Sequence, residues 1–393
     1  MAKEVVILSA VRTPLGSFLG ALSTIPAPRL GAIAIKAALE RAKVAPEKVD
    51  QVIMGNVLSA GQGQAPARQA MIYAGIPQSV PATTVNKVCG SGMQAVNLAR
   101  NAIIAGESEC AVVGGMENMS LAPYLMPDAR TGMRMGEKKI VDSMVSDGLW
   151  DPYNNFHMGS AGEMCAKEFK FTREEQDRYA AQSFARAQAA IKSGAFKNEI
   201  VGVPIPQKKG DPILFDTDEG PAKGDPAKMA GLKPVFDKAG TITAANAASI
   251  NDGAAALVIA SKEFADKHGL KPLARIVAVA THAQAPEWFT TAPVEAIKKV
   301  LAKANLKPSD IDLFEINEAF AVVPLAAAKA VEIPESKLNI NGGGISLGHP
   351  IGASGARILA TLLNAMEQKN VKRGLGSLCI GGGEGIAMIV ERY

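Results

Sequence analysis

The sequence predicts an α/β protein in which a largely parallel, helix-covered sheet is built twice along the chain, with a long irregular excursion inserted between the two builds. Three observations carry that expectation. Short runs rich in β-branched residues alternate with amphipathic helical patterns, the rhythm of a parallel sheet. Landmarks recur at nearly constant displacement. Pro46-Glu47-Lys48-Val49-Asp50 returns 262 positions later as Pro308-Ser309-Asp310-Ile311-Asp312, and Ser91-Gly92 returns 263 later as Ser354-Gly355. Gly114-Gly115-Met116-Glu117 returns near Gly382-Gly383-Glu384, a displacement close to 267. Between Ser120 and about Ala248 the rhythm breaks into a stretch rich in Met, Pro and charge.

Glu4–Ala10 is rich in β-branched residues and ends at Arg12-Thr13-Pro14-Leu15-Gly16, a buried strand followed by a turn. Pro28–Lys43 carries Leu30, Ile33, Ile35, Ala38 and Leu39 at helical spacing. After the Pro46–Asp50 turn a strand is expected over Gln51–Met54, then a helix over Gly92–Ala105. A strand over Glu109–Val113 runs from there into the Gly114–Glu117 stretch. The excursion holds turn clusters at Asp151–Asn155 and Gly220–Pro226. It also holds an amphipathic helix, Thr172–Ser193, opened by the capping box Thr172-Arg173-Glu174-Glu175. The strand signal returns at Asn251–Ala260, and alternation resumes from Ala274. The expected domains are an N-terminal core over 1–119 completed by about 249–272, an inserted domain over 120–248, and a C-terminal core over 273–393. Long excursions on a rigid scaffold tend to carry binding surfaces.

Composition narrows the function. The 393 residues are 48% hydrophobic and 20% charged, enough for a substantial core. Lys+Arg of 42 against Asp+Glu of 38 gives a net charge of +4 without a long basic tract, which argues against nucleic-acid binding. Arg130, Arg134, Lys138 and Lys139 form a local basic stretch able either to attract an anionic small molecule or simply to be solvated. The four cysteines, Cys89, Cys110, Cys165 and Cys379, form no CxxC pair and suit a reducing compartment. Met1 leads straight into a strand pattern without a signal-peptide layout, and no apolar run approaches membrane-spanning length. The expectation is a soluble cytoplasmic protein with no membrane partner.

One stretch concentrates the chemistry: Asn86-Lys87-Val88-Cys89-Gly90-Ser91-Gly92-Met93. It sets a thiol before a helix, where unpaired N–H groups and the helix dipole favour thiolate, and small neighbours leave the backbone open to a bound group. An isolated Cys-Gly-Ser-Gly is equally a buried structural cysteine before a turn. About 260 positions later come Asn317, Gly348-His349-Pro350 and Cys379. Two related halves packed about a pseudo-twofold would bring Cys89 and His349, each ahead of an equivalent helix, into one cleft. Singly, His349 reads as a capping histidine, and Cys379, near the end of the apolar run Leu375–Ile380, as a core residue.

With Asn317-Glu318-Ala319-Phe320, Gly348-His349-Pro350-Ile351-Gly352-Ala353-Ser354-Gly355 and Cys379-Ile380-Gly381-Gly382-Gly383, the chain resembles the thiolase family over essentially its whole length, and its short-chain, biosynthetic-type acetyl-CoA acetyltransferase branch most. The resemblance implies a thiolase-like five-layer αβαβα fold. It implies reversible condensation of two acetyl-CoA to acetoacetyl-CoA and CoA through an acyl-cysteine. Cys89 would be the nucleophile, His349 its proton acceptor and Cys379 the base that removes a proton from carbon. One oxyanion hole would use His349 with a water held by Asn317, the other the N–H groups of Cys89 and Gly381. No metal and no cofactor are implied, because CoA is substrate and product, and the sequence offers no metal-ligand spacing.

For CoA, the resemblance points to Leu149, His157, Met158, Phe236, Ala319 and Phe320 along the pantetheine and adenine contacts, residues that would serve equally as core packing. The chain departs from the family pattern in three places. Gly-Asn-Ala-Ser-Gly becomes Ala245-Asn246-Ala247-Ala248-Ser249, so the serine contact to pantetheine is either absent or displaced to Ser249. An adenine-side arginine is missing, and Lys223 is the nearest cation. Phe289-Thr290-Thr291-Ala292-Pro293 stands in place of Met-Gly-x-Gly-Pro, putting a bulky Phe289 at the acyl pocket. The expected partners are acyl-CoA substrates and further copies of the chain, as a homotetramer joined through the Met-rich Ser120–Met144 arm. Two alternatives stay open: a degradative 3-ketoacyl-CoA thiolase of broader chain length, and a noncatalytic acyl-CoA or lipid-binding protein that keeps the fold.

Overall fold

The computed structural model describes residues 3–393. The first half runs β1 (Val5–Arg12), α1 (Ala27–Ala42), β2 (Gln51–Gly55), α2 (Pro66–Tyr73), β3 (Ala82–Val85), α3 (Ser91–Ala105) and β4 (Cys110–Asn118). The excursion follows with α4 (Met158–Phe169) and α5 (Arg173–Ser193). The chain then continues with β5 (Asn251–Ser261), β6 (Ala274–Ala283), α6 (Ala292–Ala304), β7 (Leu313–Ile316), α7 (Val322–Val331), α8 (Ser354–Gln368), β8 (Arg373–Ile380) and β9 (Glu384–Glu391).

These strands order as β7-β8-β9-β6-β1-β5-β4-β2-β3, with the two-residue strand Gly16–Ser17 added beside β5. Only Val6 and Ile7 of β1 pair with Arg275 and Ala274 of β6, so two half-sheets meet at a narrow seam. α1 and α2 cover the outer face of the first half-sheet, and α6 and α7 that of the second. Helices α3 and α8 lie side by side between the two half-sheets, and their apolar residues Met93, Val96, Ile358 and Leu362 share one buried cluster with strand residues of both halves. The result is the five-layer αβαβα arrangement.

The expected largely parallel sheet is corrected to a mixed one. Pairs β2/β3, β2/β4 and β7/β8 are parallel, whereas β1/β5, β1/β6, β5/β4, β6/β9 and β8/β9 are antiparallel. A parallel pair needs a long crossover, but only Gly381, Gly382 and Gly383 separate β8 from β9, which forces a hairpin. The third landmark also fails as a counterpart. Gly114–Glu117 is buried inside β4, at register with Ala256–Gly253 of β5, while Gly382 and Gly383 are turn residues at φ +88° and +85°. The other two landmarks hold, with short 3-10 turns at Pro46–Lys48 and Pro308–Asp310, and α3 and α8 of 15 residues each.

The excursion contains α5 with its capping box: Thr172 Oγ1 accepts from Glu175 N at 3.2 Å, and Glu175 Oε2 from Thr172 N at 2.8 Å. It also contains α4, which sequence periodicity did not separate from its surroundings, and three small hairpins. Its tail is tied to the second half, since Ala248 N donates to Ala319 O and Ala321 N to Asn246 O, each at 2.9 Å. That stitching places residues 243–250 opposite the Asn317–Phe320 segment.

Candidate active site

The turn leading into α3 is a strained elbow. Val88 has φ +44°, a left-handed conformation rare for a β-branched residue. Asn86 Oδ1 accepts its N–H at 3.0 Å, while Ser91 Oγ accepts Lys87 N at 2.8 Å and donates to Val88 O at 2.6 Å. Gly90 lets the elbow pack directly on Ile380, whose Cδ1 would lie 2.4 Å from a Cβ there. Cys89, next in the chain after the strained residue, is partly open to a cavity of about 430 Å³. Burial works against the thiolate expected from the helix N-terminus. Burial pushes the thiol up to about 12 despite N–H contacts from Gly381 and from Cys89 itself, and nearby Glu117 adds to the rise. Desolvation outweighs the dipole here.

His349 arrives on the loop before α8. Its N–H donates to Asn251 Oδ1 at 3.0 Å, and Gly348, at φ +123°, presses so close to Asn251 that a Cβ would sit 2.5 Å from Cγ. Ser354 Oγ donates to Pro350 O at 2.9 Å, so it receives the Nδ1 proton of His349 across 2.5 Å. The unprotonated Nε2 then faces Asn317 Nδ2 at 3.2 Å. Burial, with a smaller contribution from the Arg357 charge, holds the imidazole down to about 3. Asn317 Oδ1 is buried and accepts no hydrogen bond from the described residues. Cys379 lies fully buried at the end of β8. Burial raises its thiol well above the ordinary range, and a Cys89 thiolate would raise it further; Cys379 sits two residues before Gly381.

Cys89, His349 and Gly381 line the cavity together with Leu149, His157, Met158, Phe236, Ser249, Phe289, Ala319 and Phe320. An aromatic wall runs along it. His157 stacks on Phe236 at 4.8 Å, Phe236 meets Phe320 edge-on at 6.2 Å, and Phe320 meets Phe289 at 6.5 Å. His157 also caps α4 by accepting Gly159 N at 3.0 Å, and burial lowers its pKa. Asn317 and Cys379 are not among the lining residues; Asn317 reaches the cavity through its bond to His349. Lys223 does not reach this cavity. It lines an adjoining one of about 500 Å³ with Lys228, Phe184 and Phe18, and the two cavities share Ala244, Ser249 and Ile250. The basic residues Arg130, Arg134, Lys138 and Lys139 lie on an exposed arm, away from both cavities.

Sequence reasoning missed the supports. Ser354 was noted as a landmark and not as the partner of His349. Glu117 is fully buried and accepts from Asn56 Nδ2, Val57 N, Leu58 N and Gly352 N at 2.8 to 3.1 Å, gripping the His349 loop from below. Glu318 likewise accepts from Tyr179, Ser183, Asn339 and Ile345 N. Neither the Met116-Glu117-Asn118 nor the Asn317-Glu318-Ala319 context gives a hint of four converging donors.

Comparison with known proteins agrees with this geometry. Residues 5–263 match the family described as thiolase, N-terminal domain, and residues 270–392 match thiolase, C-terminal domain. The acetyl-CoA acetyltransferase of Cupriavidus necator is 57% identical over 390 residues, covering 99% of each chain. That of Escherichia coli is 53% identical over 392 residues, also covering 99% of each. A crystal structure of the Bacillus anthracis acetyl-CoA acetyltransferase superposes with a TM-score of 0.97 at 40% identity, covering 100% of this chain and 99% of that one. Two halves that bring a cysteine elbow and a histidine loop to one cavity, matched over residues 5–263 and 270–392 by both family domains, make this chain a member of the thiolase family.

Proposed function

We propose that this chain is an acetyl-CoA C-acetyltransferase, reversibly condensing two acetyl-CoA to acetoacetyl-CoA and CoA. The observation that carries the reading is the meeting of the Cys89 thiol, the Gly381 N–H and the unprotonated His349 Nε2 in one apolar cavity, with Cys379 buried two residues before Gly381. The names of full-length relatives at 53–57% identity support the same activity.

In this reading Cys89 attacks the thioester carbon of the first acetyl-CoA. Because burial favours the neutral thiol and the neutral imidazole at rest, the Cys89 proton passes to His349 Nε2 as the S–C bond forms, and not before. That proton leaves with the CoA sulfur, and acetyl-Cys89 remains with its carbonyl oxygen toward the Gly381 N–H. A second acetyl-CoA enters with its thioester oxygen toward His349 and a water held at Asn317, and the Cys379 thiol passes its proton to His349 Nε2, whose N–H then donates to that oxygen. Acylated Cys89 can carry no negative charge against Cys379, so the Cys379 thiolate left by that transfer takes the proton from carbon, and His349 later returns its own proton to Cys89. The carbanion attacks acetyl-Cys89, releasing acetoacetyl-CoA and the Cys89 thiolate, which regains a proton. Each oxyanion donor is worth roughly 10²–10³ in rate. CoA is substrate and product, and no cofactor is assigned. Pantetheine would lie along His157, Met158, Phe236 and Phe320, with the adenine end toward Lys223 and Lys228 in the adjoining cavity.

Phe289, buried and packed against Phe320, supports a short acyl limit. The arm with Tyr124, Met135 and Ile140 exposed supports a homotetramer joined there. Four free cysteines support a reducing, cytoplasmic setting, and no helix among the described residues is long and apolar enough to cross a membrane. Incubation with labelled acetyl-CoA should place one acetyl group on Cys89, and cleavage of acetoacetyl-CoA should exceed that of a C8 3-ketoacyl-CoA. Preference for the longer substrate would replace the short-chain reading with a degradative one, and an unlabelled Cys89 would end the catalytic reading.

A further inference from the structure

Lys87 and Glu384 form an ion pair across the seam between the two halves, 297 positions apart in sequence. Each sits at a telling place. Lys87 immediately precedes Val88 and Cys89, and Glu384 is the first residue of β9 after the Gly381–Gly383 turn. The side chains are 23% and 34% exposed, so the pair stands at the edge of the site and is not part of the core. We infer that Lys87 and Glu384 are positioning residues that clamp the nucleophile elbow to the glycine turn and thereby hold the Gly381 N–H in register with the acyl group on Cys89. The inference rests on the acyl-cysteine reading above.

The two segments need such a clamp. The elbow holds its own shape through Asn86 and Ser91, bonds internal to it, and it meets the opposite strand end by the apolar packing of Gly90 on Ile380, which by itself gives the glycine turn beyond Ile380 no polar tie to the elbow. The turn consists of three glycines, two of them at positive φ, with no side chain to pack. Gly383 is tied by its carbonyl to Gln284 N at 2.9 Å, on the side away from the nucleophile. Toward the nucleophile the fit is loose at Gly381, where a Cβ would have ordinary contacts of 3.5 Å with Val88 Cγ1 and Met158 Sδ. An oxyanion donor is effective only near hydrogen-bond distance, and a misplacement of about 1 Å costs on the order of 10² in rate. Pulling Glu384 toward Lys87 draws the end of the turn onto the elbow without occupying the cavity. Neither side chain lines the cavity, so the pair would act on the rate of acyl transfer and not on substrate binding.

The test uses the full chain with Lys87→Met, Glu384→Gln and the exchanged pair K87E/E384K. Acetyl-CoA is the substrate, and the readouts are the rate of acetyl-Cys89 formation and the KM. Each single variant should form acetyl-Cys89 about tenfold more slowly with KM within twofold of the parent and thermal unfolding unchanged. The exchanged pair should recover most of the lost rate. Single variants as fast as the parent, or an exchanged pair no faster than the singles, would overturn the clamp. A parent protein that acquires no acetyl group would instead remove the acyl-cysteine reading, so the two failures are told apart by one control.

Discussion

Cys89 and His349 are each shifted away from charge by burial, the thiol up to about 12 and the imidazole down to about 3. The sign of the second shift fixes a pH dependence. A histidine held down to about 3 keeps Nε2 unprotonated at every pH above that value, so its base form is already complete where an ordinary histidine would be half titrated. The rate of acetyl transfer from acetyl-CoA to Cys89 should therefore run flat from about pH 5 to pH 8, with no acid limb between 6 and 7. A midpoint in that interval, read from the burst of CoA release, would show that His349 is more solvated than its surroundings indicate. Replacing Ser354 by Ala removes the acceptor of the Nδ1 proton, frees the ring to change tautomer, and should slow the burst by about 10- to 100-fold with little change in KM. The motif residues were legible in sequence because their chemistry is tied to residue type and order. The protonation state was not, since the helix dipole can be read from a pattern whereas the desolvation that overrides it depends on what the fold packs around the sulfur.

At the level of elements, the site follows from the contact of α3 with α8. These are the two helices of equal length whose displacement of 263 was visible in the sequence. They approach so closely that a Cβ on Gly92 would lie 2.7 Å from Ala356 N, and one on Gly355 only 2.3 Å from Met93 N. Glycine at both points lets the backbones touch, and the turns ahead of the two helices, one carrying Cys89 and the other His349, are thereby brought to the same cavity. Gly355→Ala has no flexible side-chain end to displace. It should destabilise the protein by about 1–3 kcal/mol in urea unfolding and lower acetyl transfer as the two turns separate. Retained stability with retained rate would mean that the helix spacing does not set the site. The repeat was readable because it is periodic in the chain. Strand direction was not, and the expectation of a mostly parallel sheet failed where glycine turns and the long return of β5 between β1 and β4 make antiparallel neighbours.

Across the whole molecule, the excursion must be held against the core in one orientation, because it supplies His157, Met158 and Phe236 to a cavity whose chemistry lies elsewhere. Part of that hold is a fully buried charge network. The Arg12 guanidinium bonds Glu199 through Nε at 2.5 Å and Asp218 through both terminal nitrogens at 2.7 and 2.9 Å. Glu199 also accepts from Thr361 and Asn364 on α8, while Asp218 accepts from Leu15 N. One side chain at the end of β1 thus ties two distant points of the excursion to both halves of the core. The partners are 187 and 206 residues from Arg12, a separation at which no local periodicity or capping pattern gives a signal, so the network was illegible in the sequence. Its energetics follow from burial. Arg12→Met leaves two carboxylates out of water without their counter-charge, and removal of one partner from such a network costs about 3–5 kcal/mol. Arg12→Lys keeps the charge but loses the forked geometry, and should fall between parent and Arg12→Met in urea midpoint. If the excursion is anchored here, the Arg12→Met protein should also become sensitive to protease cleavage within residues 195–225 before the core unfolds. Cleavage there no faster than in the parent, with a midpoint shifted by less than about 1 kcal/mol, would show that the apolar contacts of α4 and α5 hold the excursion without it.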